Sequence, residues 1–155
     1  MTLGDVLRKE RERKNLTLET VAAELDLSVE RYQEYEGGES PIEEWGPKLA
    51  MIAIKLSTPT SRLISETGKS PQAAHEGGRC GRLIRRHRER REMTQADLAA
   101  QLNIPVDEII AIENGESPLE IFSPRLLRFA DLINQPIFNL FYPCGLPLDK
   151  LDDYP

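Results

Sequence analysis

The side chains best suited to chemistry in this sequence are arginines concentrated just after its midpoint. Residues 79–92 contain seven arginines, opposed only by Glu89 and Glu92. The seven are Arg79, Arg82, Arg85, Arg86, Arg88, Arg90 and Arg91. Guanidinium groups clustered in this way can bind the phosphates of a nucleic acid, with an affinity that falls steeply as salt rises. Charged runs are also common as plain solvated helix faces, and composition alone leaves both interpretations open.

The net charge of the chain limits how it can bind a polyanion. The 155 residues include 26 acidic and 20 basic side chains, giving a formal charge of -6. A protein of this charge is not attracted to nucleic acid as a whole, so binding requires a local basic face. A second, shorter basic run consists of Arg8, Lys9, Arg11, Arg13 and Lys14.

Residues suited to catalysis or metal binding are sparse. The two histidines are His75 and His87, the two cysteines are Cys80 and Cys144, and no nucleophile pattern or glycine-rich phosphate loop accompanies them. We therefore expect no enzymatic activity, no cofactor and no metal. The cysteines are expected to be reduced structural thiols, although the segments that they flank should pack together and could bring them close.

The sequence does not predict insertion into a membrane or secretion. No apolar run approaches the ~20 residues that cross a bilayer. The N-terminal residues lack the basic and apolar regions of a signal peptide. We expect a cytoplasmic protein with no membrane partner.

The elements that position these side chains repeat along the chain. A shift of 77 residues aligns 3–59 with 80–136 without a gap, and 20 of the 57 pairs are identical. Other pairs keep their chemical type, for example Trp45 with Phe122 and Lys48 with Arg125. The segment between the copies is polar and contains Gly, Ser and Pro, as flexible linkers do. We infer two copies of one domain, at 1–66 and 79–155, joined by a linker at 67–78.

Apolar residues in each copy recur every three or four positions, which predicts helices with one buried face. In the first copy such residues include Leu3, Val6, Leu7, Leu49, Ile52, Ala53 and Leu56. No segment shows a sustained period of two. The predicted fold is all-α, with two tandem domains of five short helices each.

The second and third predicted helices of each copy are separated by a very short turn. Thr17 and Thr94 can cap the second helices with their hydroxyl groups, and Asp97 can complete a capping box with Thr94. The turns fall at 26–28 and 103–105. Two short helices across a tight turn form a helix-turn-helix.

The sequence resembles the lambda-repressor-like (Xre/Cro) helix-turn-helix family. The resemblance is carried by 83–85, 88–99 and 112–115 in the second copy, and by Arg11, 16–17, 21–22, Leu25 and 35–38 in the first. It implies a five-helix domain whose third helix enters the major groove of DNA. Extra residues at 42–46 and 119–123 are expected to form a longer loop before the fourth helix than the family has.

The resemblance also implies a set of DNA-binding residues. Gln95 occupies the position whose amide touches the DNA backbone and adenine, and Asn114 occupies one that often touches phosphate. Each residue also has an alternative role without DNA: Gln95 would be a solvated helix residue, and Asn114 would only end a helix. Ile110 could contact thymine methyl groups or a protein. The complete set is Arg31, Gln33, Arg88, Thr94, Gln95, Val106, Ile110 and Asn114.

An arginine and a glutamate stand 25 residues apart in both copies, as Arg11 with Glu36 and as Arg88 with Glu113. The resemblance implies that each is a largely buried ion pair that joins the first helix to the third. The free edge of the guanidinium could make an additional phosphate contact.

The predicted third helices are acidic, with Glu30 and Glu34 in the first copy and Asp107 and Glu108 in the second. A carboxylate can accept a hydrogen bond from cytosine N4, but it also repels phosphates. Two functions therefore stay open. The first is a sequence-specific DNA-binding transcription regulator. The second is a degenerate helix-turn-helix module, such as an antitoxin or co-regulator, that binds a protein and has weak or no DNA binding.

The last third of the sequence holds more apolar residues than one small domain should bury. It contains all four phenylalanines, which are Phe122, Phe129, Phe138 and Phe141, and a mainly apolar tail at 137–151. We expect this surplus to form an interface, either between two subunits or between the two copies. The expected partners are double-stranded DNA and, as a homodimer or a pseudo-dimer of the repeats, the protein itself.

Overall fold

The structure is a computed structural model that describes residues 2–65 and 78–141. The first of these ranges, here called the first half, contains α1 (Leu3–Arg13), α2 (Leu18–Glu24), α3 (Val29–Glu36), α4 (Ile42–Lys55) and a 3-10 turn (Thr60–Leu63). The second half contains α5 (Arg79–Arg90), α6 (Gln95–Leu102), α7 (Val106–Glu113), α8 (Leu119–Leu132) and a 3-10 turn (Ile137–Leu140). The described residues contain no strand, so the all-α prediction is confirmed for them.

Several predicted features lie outside the described residues. They are His75, Cys144, nearly all of the linker and the apolar tail from residue 142 onward.

Each element of the first half has a counterpart 77 residues later, to within one residue at each end. The fifth element of each half is a four-residue 3-10 turn that follows Pro59 or Pro136. The described part of each half thus has four α-helices and a 3-10 turn where five helices were predicted. Proline cannot donate a backbone hydrogen bond, which helps to keep each turn separate from the helix before it.

The fourth helix of each half begins earlier than predicted. Residues 42–46 and 119–123 form the first turns of α4 and α8, so the predicted longer loop is wrong. The hydroxyl of Ser40 accepts a hydrogen bond from the backbone N–H of Ile42 at 3.2 Å, and the buried Ile42 side chain joins the core. The same arrangement recurs at the start of α8. Pro47 lies inside α4, where it removes one backbone donor without ending the helix.

The first and third helices of each half approach each other at a glycine. A Cβ atom on Gly4 would lie 2.2 Å from the carbonyl oxygen of Tyr35, and one on Gly81 would lie 2.3 Å from that of Ile112. No side chain fits at these two positions. Gly4 and Gly81 are an identical pair in the alignment at the 77-residue offset. This identity is the one sequence signal that indicates a requirement for glycine at both positions.

A glutamate from the fourth helix caps the first helix of each half. The Glu43 carboxylate accepts hydrogen bonds from the backbone N–H groups of Leu3 (3.0 Å) and Gly4 (2.8 Å). Glu120 does the same for Cys80 and Gly81. Burial raises the pKa of Glu120 despite these hydrogen bonds. Carboxylates at helix N-termini satisfy backbone donors that would otherwise lack partners.

The predicted helix-turn-helix geometry is present in both halves. Thr17 and Thr94 cap α2 and α6, and the side chain and backbone of Asp97 complete a capping box with Thr94. Asp26 and Asn103 adopt left-handed backbone angles, with φ of 60° and 57°, in the turns before α3 and α7. These residue types tolerate that conformation, which reverses the chain within a few residues.

The two halves share a continuous hydrophobic core. Their contacts occur in pairs related by the 77-residue offset, with α4 against α8 at the centre. On one side α6 packs against α4, and on the other α2 packs against α8. Likewise α1 contacts the second 3-10 turn and α5 contacts the first. Phe122, Phe129 and Phe141 are all buried, so part of the apolar surplus lies in this shared core.

Gly46 shows how closely the halves fit. A Cβ atom at this position would lie 3.5 Å from the Phe141 ring and 3.7 Å from the Leu126 side chain, both in the second half. The same atom would lie 2.8 Å from Leu3 in the first half. Side chains from both halves therefore fill the space around α4.

The described residues show neither a metal cluster nor a membrane span. No group of three or more His, Cys, Asp and Glu side chains among them is arranged to hold a metal ion. None of the described helices has both the length and the apolar composition needed to cross a bilayer.

Burial raises the pKa of the Cys80 thiol to about 12, so this cysteine is unreactive at neutral pH.

Candidate nucleic-acid interface

The outer side of α5 forms an open cationic groove. The groove has a volume of about 500 Å³ and is lined by Arg82, Arg85, Arg86, Glu89 and Arg90. Its four arginines recur at intervals of three and four residues, so they share one side of the helix. Glu89 is the one acidic residue in the lining. Four of the seven clustered arginines thus face a common space, as phosphate binding requires.

The other three arginines of the cluster have different surroundings. Arg91 donates hydrogen bonds to the carbonyl oxygens of His87 and Ser57, both at 3.1 Å, and the second of these bonds ties the end of α5 to the first half. Arg79 is half-buried, and Arg88 is buried. These three positions are built mainly into the fold.

Arg88 makes a two-point ion pair with Glu113, which is 2% exposed. Its Nε and Nη2 atoms lie 2.6 and 3.0 Å from the two carboxylate oxygens, and Nη1 donates to the carbonyl oxygen of Met93 at 2.7 Å. Burial acts to raise the pKa of Glu113, but hydrogen bonds from Arg88 and Gln95 outweigh it, and the net pKa is lowered. The pair joins α5 to α7, and little of the guanidinium is left for a phosphate.

The first half contains the same arrangement. Arg11 donates through Nε and Nη2 to the Glu36 carboxylate at 2.7 and 3.1 Å, and through Nη1 to the carbonyl oxygen of Leu16 at 3.1 Å. The hydrogen bond to Glu36 raises the pKa of Arg11. In each half, therefore, this arginine–glutamate pair joins the first helix to the third.

Two polar side chains contact Glu113 in addition to Arg88. The Gln95 amide donates to Glu113 Oε1 at 3.1 Å, and Arg85 Nε lies 3.3 Å from the same oxygen. Arg85 Nη2 also donates to Asn114 Oδ1 at 3.3 Å. Arg85 was not among the predicted DNA-binding residues, yet it connects the groove of α5 to both predicted amides.

Thr94 lies at the start of α6, beside Gln95. Its hydroxyl accepts a hydrogen bond from the backbone N–H of Asp97 at 3.0 Å, and the Asp97 carboxylate accepts one from the Thr94 N–H at 3.0 Å. These hydrogen bonds with Thr94 lower the pKa of Asp97. Thr94 is exposed, so its role as a cap leaves it accessible to a ligand.

The outer face of α3 is exposed and carries one cation. Arg31 has a 72% exposed side chain and lies 3.5 Å from the Glu34 carboxylate. Gln33 and Glu30 are exposed beside it. Arg31 and Gln33 are thus accessible to a ligand, but they lie in a different half from Gln95 and Asn114.

The outer face of α7 is apolar and acidic. Val106 and Ile110 are 38% and 37% exposed and lie one helical turn apart. Asp107 is exposed between them, and residues 95–113 contain no lysine or arginine. The α6–α7 unit therefore supplies no cationic side chain for a phosphate, and the nearest basic residues are those of α5.

One comparison with known proteins gives a match, and it covers most of the second half. Residues 79–136 match a family model described as a helix-turn-helix domain. No curated protein sequence and no solved structure matches the chain significantly. The matched segment begins with the arginine-rich α5 and contains the α6–α7 unit described above. Residues 79–136 are therefore similar to helix-turn-helix domains, which are typical of DNA-binding regulators.

Proposed function

We propose that the protein is a sequence-specific DNA-binding transcription regulator of the Xre/Cro type. The observation that carries the proposal is the network of Arg85, Gln95, Glu113 and Asn114. It sets two amides at the start of α6 and the end of α7 beside the cationic groove of α5. The proposed regulator acts in the cytoplasm and uses no cofactor, metal or enzymatic step.

The proposal divides the contacts between phosphates and bases. The arginines of the α5 groove neutralise phosphates and supply affinity that does not depend on sequence. Gln95 can pair with adenine, while Val106 and Ile110 are exposed where they could meet thymine methyl groups. Arg31 and Gln33 supply hydrogen-bonding groups on the other third helix.

We also propose that the two halves are copies of one domain arranged as a pseudo-dimer. The support is the paired contacts between the halves, which are what an approximate two-fold axis produces. Such a chain presents two third helices to DNA, as a homodimer presents one from each subunit.

A salt titration tests the contribution of the α5 groove. The triple variant Arg82→Gln/Arg86→Gln/Arg90→Gln should reduce the slope of log K against log salt by about 2 to 3, roughly one unit for each lost phosphate contact. The measurement is fluorescence anisotropy of labelled duplexes, first selected from a random pool for binding to the parent protein.

Lys55→Gln is a control for the loss of one positive charge, because Lys55 lies on α4 and does not line the groove. An unchanged slope in the triple variant would remove the groove from the interface.

Gln95→Ala should weaken binding to selected duplexes by about 1–3 kcal/mol and leave binding to random duplexes nearly unchanged.

A protein-binding function is the second candidate, and the outer face of α7 favours it. That face combines two exposed aliphatic side chains with acidic residues and lacks lysine and arginine. The two aliphatic side chains can contact a protein partner, while the acidic residues beside them repel phosphates. This candidate predicts no salt-dependent duplex binding by the parent protein in the titration above.

A further inference from the structure

The Lys48 side chain, on the fourth helix of the first half, contacts the third helix of the second half. We call such a contact a crossing. Its Nζ atom lies 2.7 Å from Glu108 Oε1 on α7. It also lies 3.5 Å from Glu44 and 4.1 Å from the centre of the Trp45 ring. The Lys48 side chain is only 16% exposed, so this contact is partly shielded from water and salt.

Arg125, the counterpart of Lys48, makes the reciprocal crossing. Its Nη1 atom donates a hydrogen bond at 2.8 Å to the hydroxyl of Tyr35 on α3. Tyr35 is 5% exposed, and its ring meets that of Phe122 edge to face with centroids 6.0 Å apart. An arginine on α8 therefore holds the third helix of the first half, as a lysine on α4 holds that of the second.

These contacts explain one part of the internal repeat. An aromatic residue followed three positions later by a cation occurs in both halves, as Trp45 with Lys48 and as Phe122 with Arg125. The partners on the third helices are chemically different, a carboxylate on α7 and a phenol on α3. What the two halves share is a cation on the fourth helix that contacts the third helix of the other half.

The two crossings affect the position of the third helices, α3 and α7, relative to each other. Within its own half, each third helix packs against the first and second helices. Those contacts fix α3 and α7 in their own halves but leave their mutual angle to the contacts between the halves. Hydrogen bonds with a charged partner are short and directional, so they can define that angle more sharply than apolar packing alone.

We propose that Lys48 and Arg125 are positioning residues that set the separation and angle of α3 and α7. The consequence for DNA rests on the proposed function: the chain selects sites by the spacing between two half-sites. Half-sites on one face of DNA lie about 34 Å apart per helical turn, so a rigid pair of third helices accepts a narrow range of spacings.

The positioning role can be measured without DNA. Spin labels at Gln33→Cys and Ile110→Cys, which are equivalent exposed positions on α3 and α7, report their separation by pulsed electron resonance. Cys144→Ser removes one native thiol, and the buried Cys80 has a pKa raised to about 12 and resists labelling. The double variant Lys48→Met/Tyr35→Phe should broaden or shift the distance distribution, while Lys55→Met should not.

A charge swap keeps this test independent of folding defects. Lys48→Glu/Glu108→Lys, made in a Glu44→Gln background that removes the repulsion from Glu44, reverses the ion pair and should give a narrow distribution, whereas Lys48→Glu in the same background should not. A distribution with the same mean and the same width in the double variant as in the parent would overturn the positioning role.

A second arm measures DNA selection by the unlabelled full chain. Duplexes carrying two copies of a selected half-site are compared over a series of spacings. The parent should prefer one spacing, and the double variant should reduce that preference by roughly three- to fivefold, the effect expected for losing a partly exposed ion pair. Equal preference in both proteins would refute the spacing claim. Absence of duplex binding by the parent would refute the proposed function, and the label distances would then still decide the positioning role.

Discussion

At the scale of single residues, the neighbours of each arginine on α5 determine what it can do. Arg88 is held by Glu113 and the Met93 carbonyl, and Arg91 by two further carbonyls. Arg82, Arg86 and Arg90 line the open groove. The arginine-rich segment 79–92 therefore contains both residues that join parts of the fold and residues that line the groove.

Removal of the Arg88 guanidinium should strongly destabilise the protein. Arg88→Met leaves the buried Glu113 without its main partner, and an uncompensated buried charge costs about 3–5 kcal/mol. Urea denaturation followed by circular dichroism measures the loss in the free energy of unfolding. The double variant Arg88→Met/Glu113→Leu should recover much of it, because no charge is then left unpaired. A loss below about 1 kcal/mol in the single variant would contradict a buried pair of this kind.

His87 should titrate below the ordinary histidine range. Burial lowers its pKa from 6.5, and the charges of Arg91, Arg90, Arg86 and Arg62 lower it further. Because the folded protein disfavours the charged form, the stability that His87 contributes is present above pH 6.5 and is lost as the pH falls through its folded pKa. Proton NMR of His75→Gln, which leaves His87 as the single histidine, measures this pKa directly.

DNA bound along α5 should reverse this shift. Phosphates near the groove oppose the arginine charges, so the pKa of His87 should rise on addition of a selected duplex. Arg86→Gln should raise the pKa in the free protein, which separates the arginine contribution from that of burial. A pKa that stays constant on DNA binding would place the duplex away from α5.

The residues of the candidate site could be predicted only in part from the sequence. The spacing of Arg88 and Glu113 and the resemblance led to residues that do lie together, and Gln95 and Asn114 lie beside them. The crossings of Lys48 and Arg125 could not be predicted. Lys48 meets a residue 60 positions away, and Arg125 one that is 90 positions away, across an interface that no local pattern encodes.

At the scale of helices, the close approach of the first and third helices in each half depends on a glycine, which has no side chain. Gly81→Ala should destabilise the protein even though alanine favours helix by about 1 kcal/mol over glycine. The new Cβ would lie 2.3 and 2.8 Å from the carbonyl oxygens of Ile112 and Glu113, so α5 must move away from α7 and strain the Arg88 pair. We expect a net loss of about 2 kcal/mol or more, measured by thermal or urea unfolding.

Gly37→Ala is the comparison for this prediction. Gly37 has a φ of -78°, and the nearest atom to its added Cβ would lie 3.3 Å away. We expect its effect to stay within about 1 kcal/mol. If Gly81→Ala were no more harmful than Gly37→Ala, α5 would have room to adjust and the close approach would carry no energetic weight.

The helices themselves followed from the sequence much better than their contacts did. Apolar spacing and the caps at Thr17 and Thr94 located the helix-turn-helix units. The start of α4 was missed because the expectation of a longer loop at 42–46 came from the resemblance, whereas Ser40 and the buried Ile42 begin the helix upstream of Pro47. Long-range packing decides such cases, and local propensity does not.

At the scale of the whole molecule, the two halves should unfold together. They share one core, and α4 and α8 each bury residues against the other half. Trp45, the single tryptophan, reports on the first half by fluorescence, and the His87 resonance reports on the second. In a urea series the two signals should change with the same midpoint and the same slope.

Separated transitions would contradict this expectation and would indicate two halves that fold independently. Leu126→Ala provides a further check, because Leu126 is buried near Gly46 in the interface between the halves. It should lower the midpoint of both signals equally and cost about 2–5 kcal/mol.

The covalent connection between the halves has a consequence for how this protein would respond to its own abundance. Association of the halves cannot be lost by dilution, since each half carries its partner on the same chain. If one chain binds a DNA target as proposed, occupancy of that target should rise with the first power of expression level, without the threshold that a dissociating dimer shows. Because the halves differ in sequence, mutation can also adjust one side without changing the other, and the preferred target need not be a palindrome.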